Sequence, residues 1–286
     1  MFIIADSGST KCDWAIAGDE LQIVKTEGIN PYFCDSFQIE TILKNSLLPK
    51  MKIRGAKVDE IFFYGAGCRA EKCYVVKSAL QSVFPAAKVE VESDVLGAAR
   101  ALFDKNAGIA CILGTGSNSC FYDGQNVVYN VPPLGFILGD EGSGAVIGRK
   151  FLSDLLKNKI TEKLKKNFLQ RYDLTTAEII EKTYRQPFPN RFLAQFMPFL
   201  KQYIGEPKIY NLVFDEFTEF FKNNIMQYPD FERYKVSFCG SVAYCFADVL
   251  EVAALELNLN FGKIIQSPIE KLVEYHKILY FCNPNS

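Results

Sequence analysis

The chain has 286 residues, a length that favours two domains over one large domain. Of these residues, 49% are hydrophobic and 23% are charged, a composition typical of a folded protein. The 32 basic and 33 acidic residues leave a net charge of -1, which offers no general attraction for nucleic acid or an anionic membrane. No apolar run could cross a bilayer, and the N-terminal one is too short for a signal peptide; we expect a cytoplasmic protein with a small-molecule ligand.

Three short strands open the chain, separated by turns that contain glycine and polar residues: FIIADS, CDWAIA and LQIVKT. A helical pattern over residues 36–48, a strand over 59–67, a helix over 70–84 and a strand over 87–93 follow. Strands that alternate with helices in this way predict an α/β architecture.

A second cycle begins near residue 107 with three more strands, AGIACILGTG, NSCFYDG and QNVVYNV. Its first turn, at Gly114 to Ser117, repeats the turn at Ser7 to Thr10, so we interpret the chain as an internal duplication. Residues 139–230 are mainly helical, with aromatic side chains at three- and four-residue spacing that indicate a core or a dimer interface. A strand, a helix over 241–256, a strand over 261–266 and a last helix from 268 complete the pattern.

The histidine and the cysteines carry little functional signal. The nine cysteines are odd in number and form no Cys-x-x-Cys pair, so they predict neither a disulfide framework nor a zinc site. His276, the single histidine, lies in an amphipathic stretch, where we expect a surface or packing role rather than catalysis.

The first turn, Asp6-Ser7-Gly8-Ser9-Thr10-Lys11, follows a buried strand. A glycine, several amide and hydroxyl donors and a lysine suit a nucleotide phosphate, and Asp6 could hold Mg²⁺ through water. A plain β-turn is the alternative. The segment from Gly114 to Ser119 has similar donors, and neither segment matches a P-loop or a dinucleotide-binding motif.

Two acidic segments are candidates for catalysis and substrate binding. Asp94 lies where a strand gives way to a helix, so it either caps that helix or accepts a proton from a hydroxyl that attacks ATP. Asp140 and Glu141 lie in Gly139-Asp-Glu-Gly-Ser-Gly144, which either begins a helix with acidic residues or brings the backbone close to a ligand. The glycines favour the second interpretation.

Six short motifs follow one another along the chain: DSGSTK, GINP, SD at 94, GTGSN, GDEGSG and CGSV. Their order is that of a known family. The chain thereby resembles the N-acetylglucosamine kinase branch of the sugar kinase, Hsp70 and actin superfamily, close to the BadF/BadG type ATPases. This resemblance implies an α/β fold of two ribonuclease H-like (actin-like ATPase) lobes with an interdomain cleft and a helical insertion in the second lobe. Residues 1–105, completed by the helix 268–286, would form the first lobe, and residues 106–267 the second.

The resemblance also implies a set of site residues. Asp94 would be the catalytic base, and Asp6 would hold magnesium through water. ATP would be bound by Ser7, Gly8, Ser9, Thr10, Lys11, Thr115, Gly240 and Ser241. The sugar would be bound by Asn30, Asp94, Ser117, Asn118, Leu134, Gly135 and Asp140.

We therefore expect an ATP- and Mg²⁺-dependent kinase that phosphorylates the 6-hydroxyl of N-acetylglucosamine or a related hexosamine, and that forms a homodimer. Leu134 replaces the tryptophan of related N-acetylglucosamine kinases, which leaves glucosamine, glucose or another amino sugar open. A non-catalytic sugar sensor with the same fold is the other alternative. The cysteines do not match the iron–sulfur pattern of BadF-type activators.

Overall fold

The computed structural model describes residues 1–18, 20–52 and 57–282. The chain divides into two compact units, one made of residues 1–110, 120–128 and 267–286 and the other of residues 111–119 and 129–266. The limits of the two lobes drawn from the sequence stay a prediction.

Within these described ranges, ten strands form two five-stranded sheets, in the orders β3-β2-β1-β4-β5 and β10-β9-β6-β7-β8. The first sheet contains β1 (Phe2–Ser7), β2 (Lys11–Ala17), β3 (Leu21–Glu27), β4 (Glu60–Gly65) and β5 (Lys88–Ser93). The second contains β6 (Gly108–Leu113), β7 (Ser117–Tyr122), β8 (Val127–Tyr129), β9 (Val236–Cys239) and β10 (Phe261–Ile265). The strands predicted from the sequence are all present.

Helices follow β3, β4 and β5 of the first sheet and β8, β9 and β10 of the second. They are α1 (Ser36–Ile42), α2 (Cys73–Val83), α3 (Asp94–Phe103), α4 (Gly135–Leu138), α5 (Gly144–Leu156), α6 (Glu162–Tyr172), α7 (Thr176–Tyr184), α8 (Pro189–Ala194), α9 (Met197–Gln202), α10 (Pro207–Asn223), α11 (Ser241–Cys245), α12 (Ala247–Glu256) and α13 (Ile269–Cys282). Residues 283–286 of the predicted last helix lie outside the described residues. The helix predicted over 241–256 is two helices, because Phe246 leaves the helical conformation at φ -113° and ψ 32° and its ring is buried.

The first sheet is mixed. Strands β1, β2 and β3 pair antiparallel as consecutive hairpins, and β1, β4 and β5 pair parallel, with α1 and α2 in the connections between the parallel strands. Trp14 and Phe63 are buried in the hydrophobic core of this unit, and the Trp14 indole donates a hydrogen bond of 2.9 Å to the Thr26 hydroxyl. This register places the ends of β1, β4 and β5 at one edge of the sheet, at Ser7, Gly65 and Ser93.

The predicted packing role of His276 is confirmed. Its ring is 4% exposed, stacks on Phe62 at a centroid distance of 3.9 Å, and lies 2.8 Å from the Tyr64 hydroxyl. The Arg100 guanidinium donates to the same hydroxyl at 2.6 Å. Burial, aided by the charge of Arg100, lowers the pKa of His276 to about 3, so the ring is neutral and joins α13 to β4 and α3.

The aromatic side chains of the helical insertion form a core in the second unit. The buried rings of Phe151, Phe168, Phe196 and Phe199 pack against one another, with the Phe168 and Phe196 centroids 5.0 Å apart. Because these rings are buried inside the unit, they offer no surface to a second copy of the chain. They do not support the homodimer expected from the sequence, which stays a prediction. No helix of the described residues is long and apolar enough to span a membrane.

Candidate active site

The turn from Asp6 to Lys11, which we call the first phosphate turn after its predicted role, is a tight hairpin between β1 and β2. The Gly8 amide donates to the Lys11 carbonyl at 3.0 Å, and the Gly28 amide donates to the Thr10 carbonyl at 3.1 Å. A Cβ on Gly28 would lie 2.3 Å from the Gly8 carbonyl oxygen. The end of β3 therefore presses against the turn so closely that only glycine fits there.

Ser7 holds a neighbouring loop in place. Its buried hydroxyl donates to the Ile29 carbonyl at 3.0 Å and accepts from the Ile29 amide at 2.8 Å. Both capacities of the hydroxyl are thus used within the fold. Its predicted part in ATP binding stays a prediction.

Asp6 lies directly opposite Asp13 across the β1–β2 ladder. Burial, together with the charges of Asp13 and Asp94 and against the charge of Lys11, raises the pKa of Asp6 to about 7. Asp13, which the sequence analysis missed, is 3% exposed and accepts from the Lys11 ammonium at 2.9 Å and from the Ser267 hydroxyl at 3.3 Å. The only sign of Asp13 in the sequence is that Lys11 and Asp13 alternate with apolar residues along β2.

The surroundings of Asp6 suit a hydrated Mg²⁺. Carboxylate oxygen is a preferred magnesium donor, and magnesium keeps most of its water. Burial, and after it repulsion from the carboxylates of Asp13 and Asp94, raises the pKa of Asp6, so a cation there would be favoured. Among the described residues, no group of three His, Cys, Asp or Glu side chains could hold a metal.

Asp94 begins α3 after Ser93, the last residue of β5. The Ser93 hydroxyl accepts from the Leu96 amide at 3.4 Å and so caps the helix, while Asp94 Oδ1 accepts from the Val95 amide at 2.9 Å. Burial raises the pKa of Asp94 to about 6, against the lowering effect of backbone amides and of Arg69. The N-terminal end of α3 is thus capped mainly by Ser93, and not by Asp94 as the alternative interpretation predicted.

Asn30 is buried in the same unit as Asp94. Its Oδ1 atom accepts from the Tyr32 amide at 2.9 Å, and a Cβ on Gly67, which has φ +77°, would lie 2.4 Å from that oxygen. The loop after β4 therefore packs directly on Asn30, and Gly67 is the residue that permits it.

The segment from Gly114 to Ser119, which we call the second phosphate turn after its predicted role, is bound to the start of α5. The Gly114 amide donates to the Gly116 carbonyl at 2.9 Å, the Gly144 amide to the Gly114 carbonyl at 2.8 Å, and the Ala145 amide to the Thr115 carbonyl at 3.1 Å. Gly240 has φ +119°, and a Cβ there would lie 2.3 Å from the Leu113 carbonyl oxygen. The structure thus brings together the turn, the GDEGSG segment and Gly240, which are far apart in the sequence.

Asp140 precedes α5 rather than entering it. The helix begins at Gly144 with Ser143 as its cap, and Asp140 takes a left-handed backbone at φ 55°. Its Oδ2 atom would lie 2.9 Å from a Cβ on Gly116, so the carboxylate lies against the second phosphate turn. The alternative in which Asp140 and Glu141 form the first helical turn is wrong.

The remaining predicted sugar-binding residues of this unit differ in their surroundings. Ser117 is buried at the start of β7, and Asn118 Oδ1 accepts from the Asn130 side chain at 3.0 Å. Leu134 is 58% exposed, and Gly135 has φ +75° with open space around its Cα. The site holds no aromatic ring at residue 134.

The second unit contains a cavity of about 900 Å³. Its lining includes Thr115 and Ser241, as predicted for ATP, together with Gln195, Lys201 and Tyr244. Lys201 is the one charged residue among the described lining residues, and its ammonium lies 5.9 Å from the centre of the Phe246 ring. Sequence analysis missed these three residues: Gln195 lies in the turn after α8, Lys201 lies on the short helix α9, and Tyr244 lies on α11 two residues after the CGSV motif.

Comparisons with known proteins agree with this architecture. No family model matches the chain, and no curated protein does. Among solved structures, a candidate N-acetylglucosamine kinase from Porphyromonas gingivalis matches with 46% identity and a TM-score of 0.93, over 96% of this chain and 98% of that one.

Two more distant structures share the fold. MreB 5 of Spiroplasma citri, bound to AMPPNP, matches with a TM-score of 0.61 and 12% identity, over 98% of this chain and 96% of that one. A ROK family glucokinase from Streptomyces griseus, in complex with glucose and AMPPNP, matches with a TM-score of 0.56 and 13% identity, over 97% and 98%. The Porphyromonas match extends over nearly the whole of both chains, so this chain belongs to the N-acetylglucosamine kinase and BadF/BadG type ATPase family, with the two-lobed α/β fold of the sugar kinase, Hsp70 and actin superfamily.

Proposed function

We propose that the protein is an ATP-dependent sugar kinase that transfers a phosphoryl group to the 6-hydroxyl of N-acetylglucosamine or a related hexosamine. The observation that carries this proposal is Asp94, a partly buried carboxylate whose pKa is raised to about 6, in the same unit as the first phosphate turn. A general base is most effective when its pKa lies near the working pH. Family membership and the glucose and AMPPNP bound to the Streptomyces glucokinase support the same reaction class.

Asp94 accepts the proton of the sugar hydroxyl as the hydroxyl oxygen bonds to the γ-phosphorus, and ADP leaves. The amides of the first phosphate turn and Lys11 bind phosphate oxygens, and the Mg²⁺ held through water by Asp6 would neutralise charge on them. Thr115, Ser241 and Lys201 line the cavity that we assign to the nucleotide.

Polar side chains would bind the sugar. Asn30, Ser117, Asn118 and Asp140 supply the several fixed polar groups that a hydroxyl-rich ligand needs. Leu134 offers an exposed aliphatic side chain where related enzymes have an aromatic ring, so we expect weaker discrimination for the N-acetyl group than those enzymes show.

The test measures ADP release with N-acetylglucosamine, glucosamine, glucose and N-acetylmannosamine. We expect turnover with at least one of them, and a product phosphorylated at the 6-hydroxyl. Sugar binding without turnover would instead favour the non-catalytic sensor.

Asp94→Asn tests the base, because asparagine keeps the shape of the side chain and cannot accept the proton. We expect kcat to fall by about 10² to 10⁴-fold, with the melting temperature unchanged or raised. Asp104→Asn, the same change at the exposed other end of α3, is the matched control and should keep wild-type kcat. If Asp94→Asn retained more than about a tenth of wild-type kcat, Asp94 would not be the base.

The pH profile gives a second check. Asp94 must be ionised to accept a proton, so kcat should rise with pH and level off above a pKa of about 6. A kcat that stays flat down to pH 5 would contradict the assignment.

A further inference from the structure

Glu216 is a buried carboxylate on a helix that also carries buried phenylalanine side chains. It lies on α10, is 1% exposed, and is followed by the buried rings of Phe217, Phe220 and Phe221. A charged group in such surroundings is costly unless it is paired and hydrogen-bonded. Its Oε1 atom pairs with the ammonium of Lys150 on α5, whose side chain is half exposed.

The other carboxylate oxygen of Glu216 holds the backbone of the GDEGSG segment. Oε2 accepts a hydrogen bond of 3.4 Å from the Gly142 amide. Gly142 has φ +72°, and a Cβ there would lie 3.2 Å from Phe220 and 3.3 Å from Phe217. The segment is thus pressed onto α10 at a residue that has to be glycine.

The end of α10 also holds Glu141. Its Oε1 atom accepts from the Asn223 side chain at 3.1 Å, and its Oε2 atom accepts from the Asn224 side chain at 3.4 Å. Two consecutive residues of the segment are therefore fixed by one helix and its C-terminal end.

Candidate ligand-binding groups lie on both sides of the point that Glu216 holds. Asp140, two residues before Gly142, lies with its carboxylate against Gly116. Beyond Gly142, the Gly144 and Ala145 amides hold the Gly114 and Thr115 carbonyls. A shift of Gly142 would therefore move both the candidate sugar ligand and the second phosphate turn.

Stability alone is a poor explanation for the Glu216–Lys150 pair. Replacing a buried ion pair by apolar residues of similar volume is often neutral or stabilising. We propose that Glu216 is a positioning residue, which acts through Gly142 to hold Asp140 and the Thr115 turn in their binding positions. This inference rests on the proposed function for its kinetic consequences.

Two double variants separate positioning from stability. Glu216→Leu with Lys150→Met replaces the pair by apolar groups and removes the acceptor for the Gly142 amide. Glu216→Gln with Lys150→Met removes both charges but keeps an acceptor. Glu219→Gln, on the same helix at a side chain that is 47% exposed, is the matched control.

We expect the leucine variant to keep a melting temperature near that of the wild type while its KM for sugar and for ATP rises about tenfold or more, since small misplacements are costly in an active site. The glutamine variant and the control should stay within about threefold of wild-type KM. Wild-type KM values in the leucine variant would overturn the inference, and so would equal losses in both double variants. If leucine does not fit, Glu216→Met with Lys150→Met replaces it, because methionine adapts to irregular space.

Hydrogen exchange of the amides of residues 142–145 is a readout that does not depend on activity. Exchange should quicken in the leucine variant and not in the glutamine variant; unchanged exchange in both would overturn the inference. If the wild type phosphorylates no sugar, the proposed function fails, and the exchange result alone still decides the role of Glu216.

Discussion

In the metal-free protein, replacing Asp6 by asparagine should stabilise the fold at pH 8. The pKa of Asp6 rises from 3.8 to about 7 in the folded state, mainly through burial and then through the charges of Asp13 and Asp94. At 1.36 kcal/mol per unit, the ionised side chain destabilises the fold by up to about 4 kcal/mol. The ionised side chain destabilises the fold, rather than stabilising it, because its pKa is raised: between the two pKa values the folded state binds a proton that the unfolded state has released.

This cost is absent well below pH 4, grows as pH rises from about 4 to 7, and is complete above pH 7. Asp6→Asn should therefore gain up to about 4 kcal/mol at pH 8 and less than half of that at pH 5.

The measurement is urea unfolding with EDTA at pH 5 and pH 8, for the wild type and Asp6→Asn. The control is Asp215→Asn, the same change at an exposed residue of α10, which should have little effect at either pH. A gain of equal size at both pH values would show that the carboxylate charge is not the cause, and a loss of stability at pH 8 would refute the reasoning.

Three further changes test other parts of the structure. Tyr64→Phe removes the hydroxyl to which Arg100 donates and should lower the free energy of unfolding by about 1 to 3 kcal/mol in urea titrations; a change below about 0.5 kcal/mol would contradict this. Gly28→Ala puts a Cβ into the first phosphate turn and should raise the ADP dissociation constant about tenfold or more, whereas Gly205→Ala, which has open space, should not. Lys201→Met should weaken ATP binding about tenfold, or 1.4 kcal/mol, and leave adenosine binding unchanged, whereas equal losses for both ligands would place the ammonium away from the phosphates.

Local patterns were sufficient to predict much of the fold. Alternating apolar residues and turn glycines predicted the strands, because side chains of a strand point to opposite faces and tight turns need glycine. The two phosphate turns, at Gly8 and Gly114, stood out for the same reason. Helix limits were less accurate: α2 begins at Cys73 rather than 70, after a loop whose Gly67 adopts φ +77°.

Residues whose roles depend on distant contacts could not be predicted. Nothing near Asp13 or Glu216 in the sequence marks them as buried carboxylates, because their partners lie on other elements. Lys201 lines the cavity only because α9 packs beside the Thr115 turn and α11.

The sequence by itself therefore predicted the α/β class and the two similar turns, since these depend on residue type and short-range spacing, and its resemblance to the family implied Asp94 as the candidate base. The tertiary structure decided which groups are free to act. It shows that the Ser7 hydroxyl is bound to Ile29, that Ser93 caps α3, and that burial raises the pKa of Asp94. Charge, burial and hydrogen bonding depend on neighbours in space, and those neighbours are distant in the chain.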